Sequence, residues 1–241
     1  MIIQRKWLFY YFSMAALSLL VIQCAAVRKV ASEYDNIQIL SNELTSQEAE
    51  NYCQHVAVER KKVETFWGPT WKKSIRIHVD SSYRISRALV PAYEGNRGFM
   101  EMPLKSVKDN TAASLHEIVH IYAPNDNRFL AEGLAVYLQD KLGGNPAFPN
   151  FGIDLHTLAR GSFSKVGLLE RLNMVRTPRP LGSVVEGRTA YIVAGSFVSF
   201  LIERYGLPMF QGLYKTGNYK KIYGKSLSVL EDEWRSRIQD K

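Results

Sequence analysis

The stretch Ala113-Ser114-Leu115-His116-Glu117-Ile118-Val119-His120-Ile121-Tyr122 constrains this chain more than any other. No Pro interrupts it, and His116, Glu117 and His120 are its only ionisable groups apart from the Tyr122 phenol. Leu115, Ile118, Val119 and Ile121 are apolar, so the spacing predicts a helix buried nearly all round. Buried imidazoles and carboxylates need partners. His116 and His120 are four apart, which places both rings on one helix face, one turn apart. That spacing lets two ring nitrogens reach a single zinc at about 2.0–2.1 Å. Glu117 lies one position round from His116, where it approaches water at such an ion without occupying the ion. The pattern is HExxH, and one divalent cation would satisfy all three side chains.

Around this segment the pattern reads as α+β. Thr45-Ser46-Gln47-Glu48 is a capping box. It opens a helix running to about Phe66 that buries Tyr52, Val56, Val63 and Phe66, and Gly68-Pro69 stops it. Residues 75–79, Ile-Arg-Ile-His-Val, alternate as a strand does. Turns are expected at 80–82 and 93–98, with a short strand over 99–102 stopped by Pro103. Residues 28–44 read as a linker into the fold. Helices are predicted at about 110–123, 131–142, 153–160, 165–174, 187–205, 207–216 and 226–239, with Ser228 to Glu231 repeating the capping-box spacing. The expected organisation is a targeting segment over 1–27, an N-terminal subdomain carrying the HExxH helix over 28–142, and a helical C-terminal subdomain over 143–241.

The N-terminus reads as an export signal. Arg5-Lys6 precede an uncharged run over 7–27, and Ala25-Ala26 offer a small-residue exit. The run is long enough to span a bilayer. Three outcomes stay open: cleavage near Ala26, an uncleaved anchor, or lipidation at Cys24, where Val21-Ile22-Gln23-Cys24 has Gln23 in place of the usual small residue. All three place the domain outside the cytoplasm, in a periplasm or cell envelope or secreted, and two keep it at the membrane. The next most apolar run, 190–202, is too short to span and reads as a core helix. The formal net charge of +8 is scattered in short pairs. It suits anionic lipid or cell-wall polymer, and no nucleic-acid-binding pattern accompanies it. Cys24 and Cys53 make no disulfide framework. Cys53 reads as a small buried hydrophobe, and His55, His78 and His156 as structural or exposed. The oligomeric state is not specified.

A second motif follows the first. Glu132-Gly133-Leu134-Ala135-Val136-Tyr137 follows His120 after a gap of 11 residues. With it the chain resembles the gluzincin metallopeptidases of the peptidase-MA-like group, in which HExxH is followed by a helix carrying Glu-Gly-x-Ala-x-Tyr. Tyr191, Ala194-Gly195-Ser196-Phe197, Leu201-Ile202, Arg204-Tyr205-Gly206 and Leu230-Glu231-Asp232-Glu233-Trp234-Arg235 resemble that group's C-terminal helices. The likeness covers roughly residues 60 to 238. It implies a zincin-like fold, a small mixed sheet packed on the HExxH helix. It also implies Zn2+ held by His116, His120 and Glu132, with Glu117 as general base on zinc-bound water. The substrate would be a peptide or protein lying along the sheet's edge strand, by position residues 98–102.

The gap before Glu132 is shorter than in the aminopeptidase branch, so a tight loop over 124–128 must deliver it. Asp126, six residues after His120, holds the third-ligand place of the metzincin pattern, although Ala123 replaces the Gly of that pattern and Pro124 follows. Tyr191 is the candidate donor to the oxyanion, with Tyr137, Tyr205 and Arg188 as rivals. Two other readings stay open: a zinc-binding scaffold without turnover, and a zinc amidase acting on cell-wall material.

Overall fold

A computed structural model of the chain describes residues 29–68, 74–89, 97–161 and 167–239. The export run over 7–27 lies outside them. Among the described residues no helix is long and apolar enough to cross a membrane.

The fold is α+β. Strands β1 (Val30–Tyr34), β2 (Ile37–Leu40), β3 (Ser74–Asp80), β4 (Arg87–Ala88) and β5 (Arg97–Pro103) form one mixed sheet in the order β1-β2-β3-β5-β4. β2–β3 and β3–β5 are parallel, and both outer pairs are antiparallel. Alternation decides the faces. Ile37, Ile39, Ile75, Ile77, Val79, Met100 and Met102 are buried on one side. The register sets Ile37 beside Ile75 and Ile77 beside Met100. On β3, Arg76 is only half-buried and its guanidinium lies 5.8 Å from the centre of the Phe99 ring.

The apolar face is covered by α1 (Ser46–Trp67) and α3 (Ser114–Tyr122). The capping box forms as expected: Thr45 Oγ1 accepts from the Glu48 amide at 3.2 Å, and the Thr45 amide donates back to Glu48 Oε2 at 2.8 Å. Tyr52, Val56 and Val63 are buried and Phe66 is half-buried. The Tyr52 and Ser114 hydroxyls meet at 2.9 Å, which ties α1 to the first turn of α3. Gly98 is a close-approach position, since a Cβ there would stand 2.6 Å from the Ile121 side chain. The sheet therefore touches α3 directly.

Three expectations need correction. Residues 28–44 are not a linker but carry the β1–β2 hairpin. Asp35 and Asn36, both at positive φ (49° and 62°), form its turn, the short polar pair that a twisted two-residue hairpin loop favours. Residues 98–102 are not the edge strand. β5 lies between β3 and β4, and the two-residue β4 occupies the edge. The helix expected over 110–123 begins only at Ser114, as α3; a short helix not expected there, α2 (Leu104–Lys108), precedes it, and Asp109 and Asn110 turn the chain between them, Asn110 at φ 55°.

The remainder is helical: α4 (Arg128–Lys141), α5 (Leu155–Arg160), α6 (Leu168–Asn173), α7 (Gly187–Tyr205), α8 (Leu207–Thr216), α9 (Tyr219–Tyr223) and α10 (Leu227–Gln239). Ser226 precedes the last helix and caps it, its hydroxyl accepting from the Val229 amide at 3.3 Å, and Ser228 lies inside the helix. α4 and α7 pack through reciprocal glycines. A Cβ on Gly133 would meet the Ala194 carbonyl oxygen at 2.7 Å, and one on Gly195 would meet the Val136 side chain at 2.5 Å. α10 is fastened to α7 and α5 at Ser196 Oγ, which accepts from Trp234 Nε1 at 2.9 Å and lies 2.8 Å from His156 Nδ1. Sheet and helices share one apolar core.

The α4–α7 contact has a measurable consequence. Gly133→Ala should lose about 1–3 kcal/mol in chemical unfolding, since a backbone oxygen cannot move aside. Gly187→Ala, where a Cβ meets nothing within 4 Å, should hold its stability or gain slightly.

Candidate metal centre

All nine residues of α3 are buried, and its two imidazoles project to the floor of a cleft of about 960 Å³. The ring centroids stand 5.0 Å apart, as one helical turn requires. The loop after α3 is pinned from α8. Tyr214 Oη donates to the Ala123 carbonyl at 2.6 Å, and Asn125 Nδ2 donates to the Tyr214 carbonyl at 2.6 Å. Asn127 then caps α4, its side chain accepting from the Leu130 amide at 3.3 Å. The tight loop thus ends with Glu132 in the second turn of α4, aimed back at α3.

Three atoms converge. His116 Nε2 lies 3.1 Å from Glu132 Oε2, His120 Nε2 lies 3.2 Å from the same oxygen, and the two imidazole nitrogens are 3.2 Å apart. The three residues are buried and form a group able to hold a metal ion. A closed triangle of this size suits hydrogen bonding poorly, because no N–H can point along two of its edges together. It suits a small cation well. Tetrahedral ligands about 2.0–2.1 Å from a zinc stand about 3.3–3.4 Å from one another. Asp126 does not join the triangle: it is exposed, and its backbone carbonyl accepts from the Thr177 amide at 3.1 Å.

No protein-family model matches the chain, and no curated protein matches it either. The site's chemistry therefore rests on its own geometry.

Each carboxylate at the site has one oxygen committed. Glu117 Oε2 accepts from the Ala88 amide of β4 at 2.6 Å. Glu132 Oε1 accepts from Arg128 Nη2. Burial pushes the Glu117 carboxyl up to about 7, helped by the Glu132 charge and opposed by His116 and the Ala88 amide. Burial alone would also raise Glu132. The His120 charge and the hydrogen bonds from His116 and His120 outweigh it and hold that carboxyl well below the usual range. A cation at the triangle would favour the charged form of both. His116 Nδ1 is buried and has no hydrogen-bond partner among the described residues.

Tyr191 is brought to the site. It lines the cleft with Glu117 and Glu132. Burial, then the Glu132 charge, push its phenol up to about 12, while the Arg128 charge opposes this. It therefore stays a donor at neutral pH. The Phe148 ring meets it edge-on at 5.4 Å. Its rivals are engaged elsewhere. Tyr137 packs edge-on against Phe66 at 6.0 Å, Tyr205 donates to Glu233, and Arg188 donates to the Pro149 carbonyl at 2.9 Å. Two participants escaped the sequence reading. Arg128 sits four residues before Glu132 on one helix, an i,i+4 spacing that signals ion pairing. The Ala88 amide carries no side-chain signal at all.

If the triangle is the cation site, His120→Ala and Glu132→Ala should each weaken divalent-ion binding by more than the about 10–100-fold that loss of a supporting contact costs. Asp126→Asn should leave it unchanged. Calorimetric titration of the purified proteins reads the difference.

Proposed function

We propose that this chain is a zinc-dependent peptidase with a zincin-like fold. One observation carries the reading: two imidazoles and one carboxylate form a buried triangle of metal-site dimensions, with a second carboxylate, Glu117, lining the same cleft. Two nitrogens and one oxygen are the donor set of open zinc sites in hydrolases, whose fourth position is left to solvent or substrate. Bound zinc supplies Lewis acidity, lowering the pKa of a water to about 7 and polarising a carbonyl.

The chain's own residues do the rest. Glu117 Oε1 has no hydrogen-bond partner among the described residues, while Oε2 is fixed by Ala88. Glu117 therefore presents one oriented oxygen to take a proton from the attacking water and return it to the leaving amine. Tyr191, protonated and lining the same cleft, donates to the oxygen that gains charge. Strand β4 offers a docking rail. Its register turns the Ala88 amide and carbonyl away from β5; Glu117 takes the amide, which leaves the carbonyl to accept from an added strand, and Arg87 and Ala88 line the cleft. An extended peptide can add along that edge by backbone pairing. The basic, uncharged and small-residue order of residues 5–26 supports export, with the peptidase domain facing an extracytoplasmic space at a membrane.

The test is cleavage of a peptide library by the zinc-loaded protein. Chelation should abolish turnover and added zinc restore it. Glu117→Gln should keep the metal and lose about 10²–10⁴-fold in kcat. Tyr191→Phe should lose on the order of 10²-fold in kcat with little change in KM. Stoichiometric zinc with no turnover on any peptide would point to a scaffold. Turnover confined to non-peptide amides would point to a cell-wall amidase.

A further inference from the structure

A carboxylate can give a metal one oxygen or two, and the choice sets how many positions remain open. Glu132 has Oε2 in the triangle with both imidazoles, while Oε1 lies against Arg128 Nη2. The two side chains are four residues apart on α4, so backbone geometry keeps them together. Glu132 is 2% exposed, and the Arg128 side chain is 25% exposed where it borders the cleft. A charge-assisted contact of this kind is among the stronger hydrogen bonds. Tyr191 lines the same cleft as Arg128 and Glu132. Among the described residues the buried His116 Nδ1 has no comparable support, so orientation of the ligand set is concentrated on Glu132.

We infer that Arg128 is a positioning residue. By occupying Oε1 it restricts Glu132 to a single ligand oxygen and keeps a metal position open. The inference rests on the metal reading above. Without the guanidinium, Glu132 Oε1 would be a buried acceptor with no donor, and the carboxylate would turn to offer both oxygens to the cation or swing away from it.

The experiment compares wild type, Arg128→Met and Arg128→Lys, each loaded with zinc for chelator competition and with cobalt for visible spectroscopy. Wild type should show the intense ligand-field bands of a four-coordinate ion. Arg128→Met should lose about 10–100-fold in zinc affinity and show the weaker bands of a higher coordination number. Arg128→Lys keeps the charge but not the fork, and should fall between them. Wild type that loads, beside an Arg128→Met protein with affinity within about twofold and unchanged bands, overturns the assignment of Arg128 alone. If Arg128→Met does not fold, a folded Arg128→Lys protein indistinguishable from wild type in both readouts overturns it equally. Wild type that takes up neither ion overturns the metal reading and this inference with it.

Discussion

Two imidazole nitrogens and a carboxylate oxygen, each within 3.2 Å of the other two, belong to side chains buried in the protein. Such an arrangement is costly unless something compensates it. Much of the architecture serves to hold it. α3 is pressed against β5 at Gly98 and fastened to α1 through Tyr52 and Ser114. α4 is drawn against α7 by Gly133 and Gly195, which fixes the depth at which Glu132 arrives. The loop between them is pinned by Tyr214. A single divalent ion would turn this concentration of lone pairs from a liability into a bound state, and ligand binding of that kind adds to folding stability.

The two carboxylates at the site have opposite environments. Glu132 has two imidazoles and a guanidinium around it and stays charged. Among the described residues Glu117 has one direct hydrogen-bond donor, the Ala88 amide, and burial raises its carboxyl. Carboxyl groups whose surroundings push them apart are suited to different work, one to hold charge and the other to exchange a proton. That division follows from where α4 and β4 place their donors.

Much of this was legible in the sequence. A four-residue spacing of histidines in an apolar helix placed both rings on one face, and α7 and α8 have the bounds expected, 187–205 and 207–216. The α+β order was equally visible. Other features resisted for physical reasons. The β1–β2 hairpin turns on Asp35-Asn36, a signal obscured by the shortness of both strands. β4 is two residues long, below any periodicity, so the edge of the sheet was assigned to β5. α2 and α9 are five residues each, too short to carry a sustained amphipathic repeat. The contact of Ala88 with Glu117 is made by backbone, which leaves no trace in residue type. Arg128 was within reach through its i,i+4 relation to Glu132, but only the depth of Glu132 gives that pairing its weight.

The central claim is that these three side chains together bind one small cation and leave it open to solvent. X-ray absorption at the zinc edge of the loaded protein tests it most directly. The account predicts one zinc per chain, two imidazoles in its shell and about four nitrogen or oxygen neighbours at about 2.0–2.1 Å. A shell without imidazole scattering, or a protein that retains no zinc through gel filtration, would contradict it.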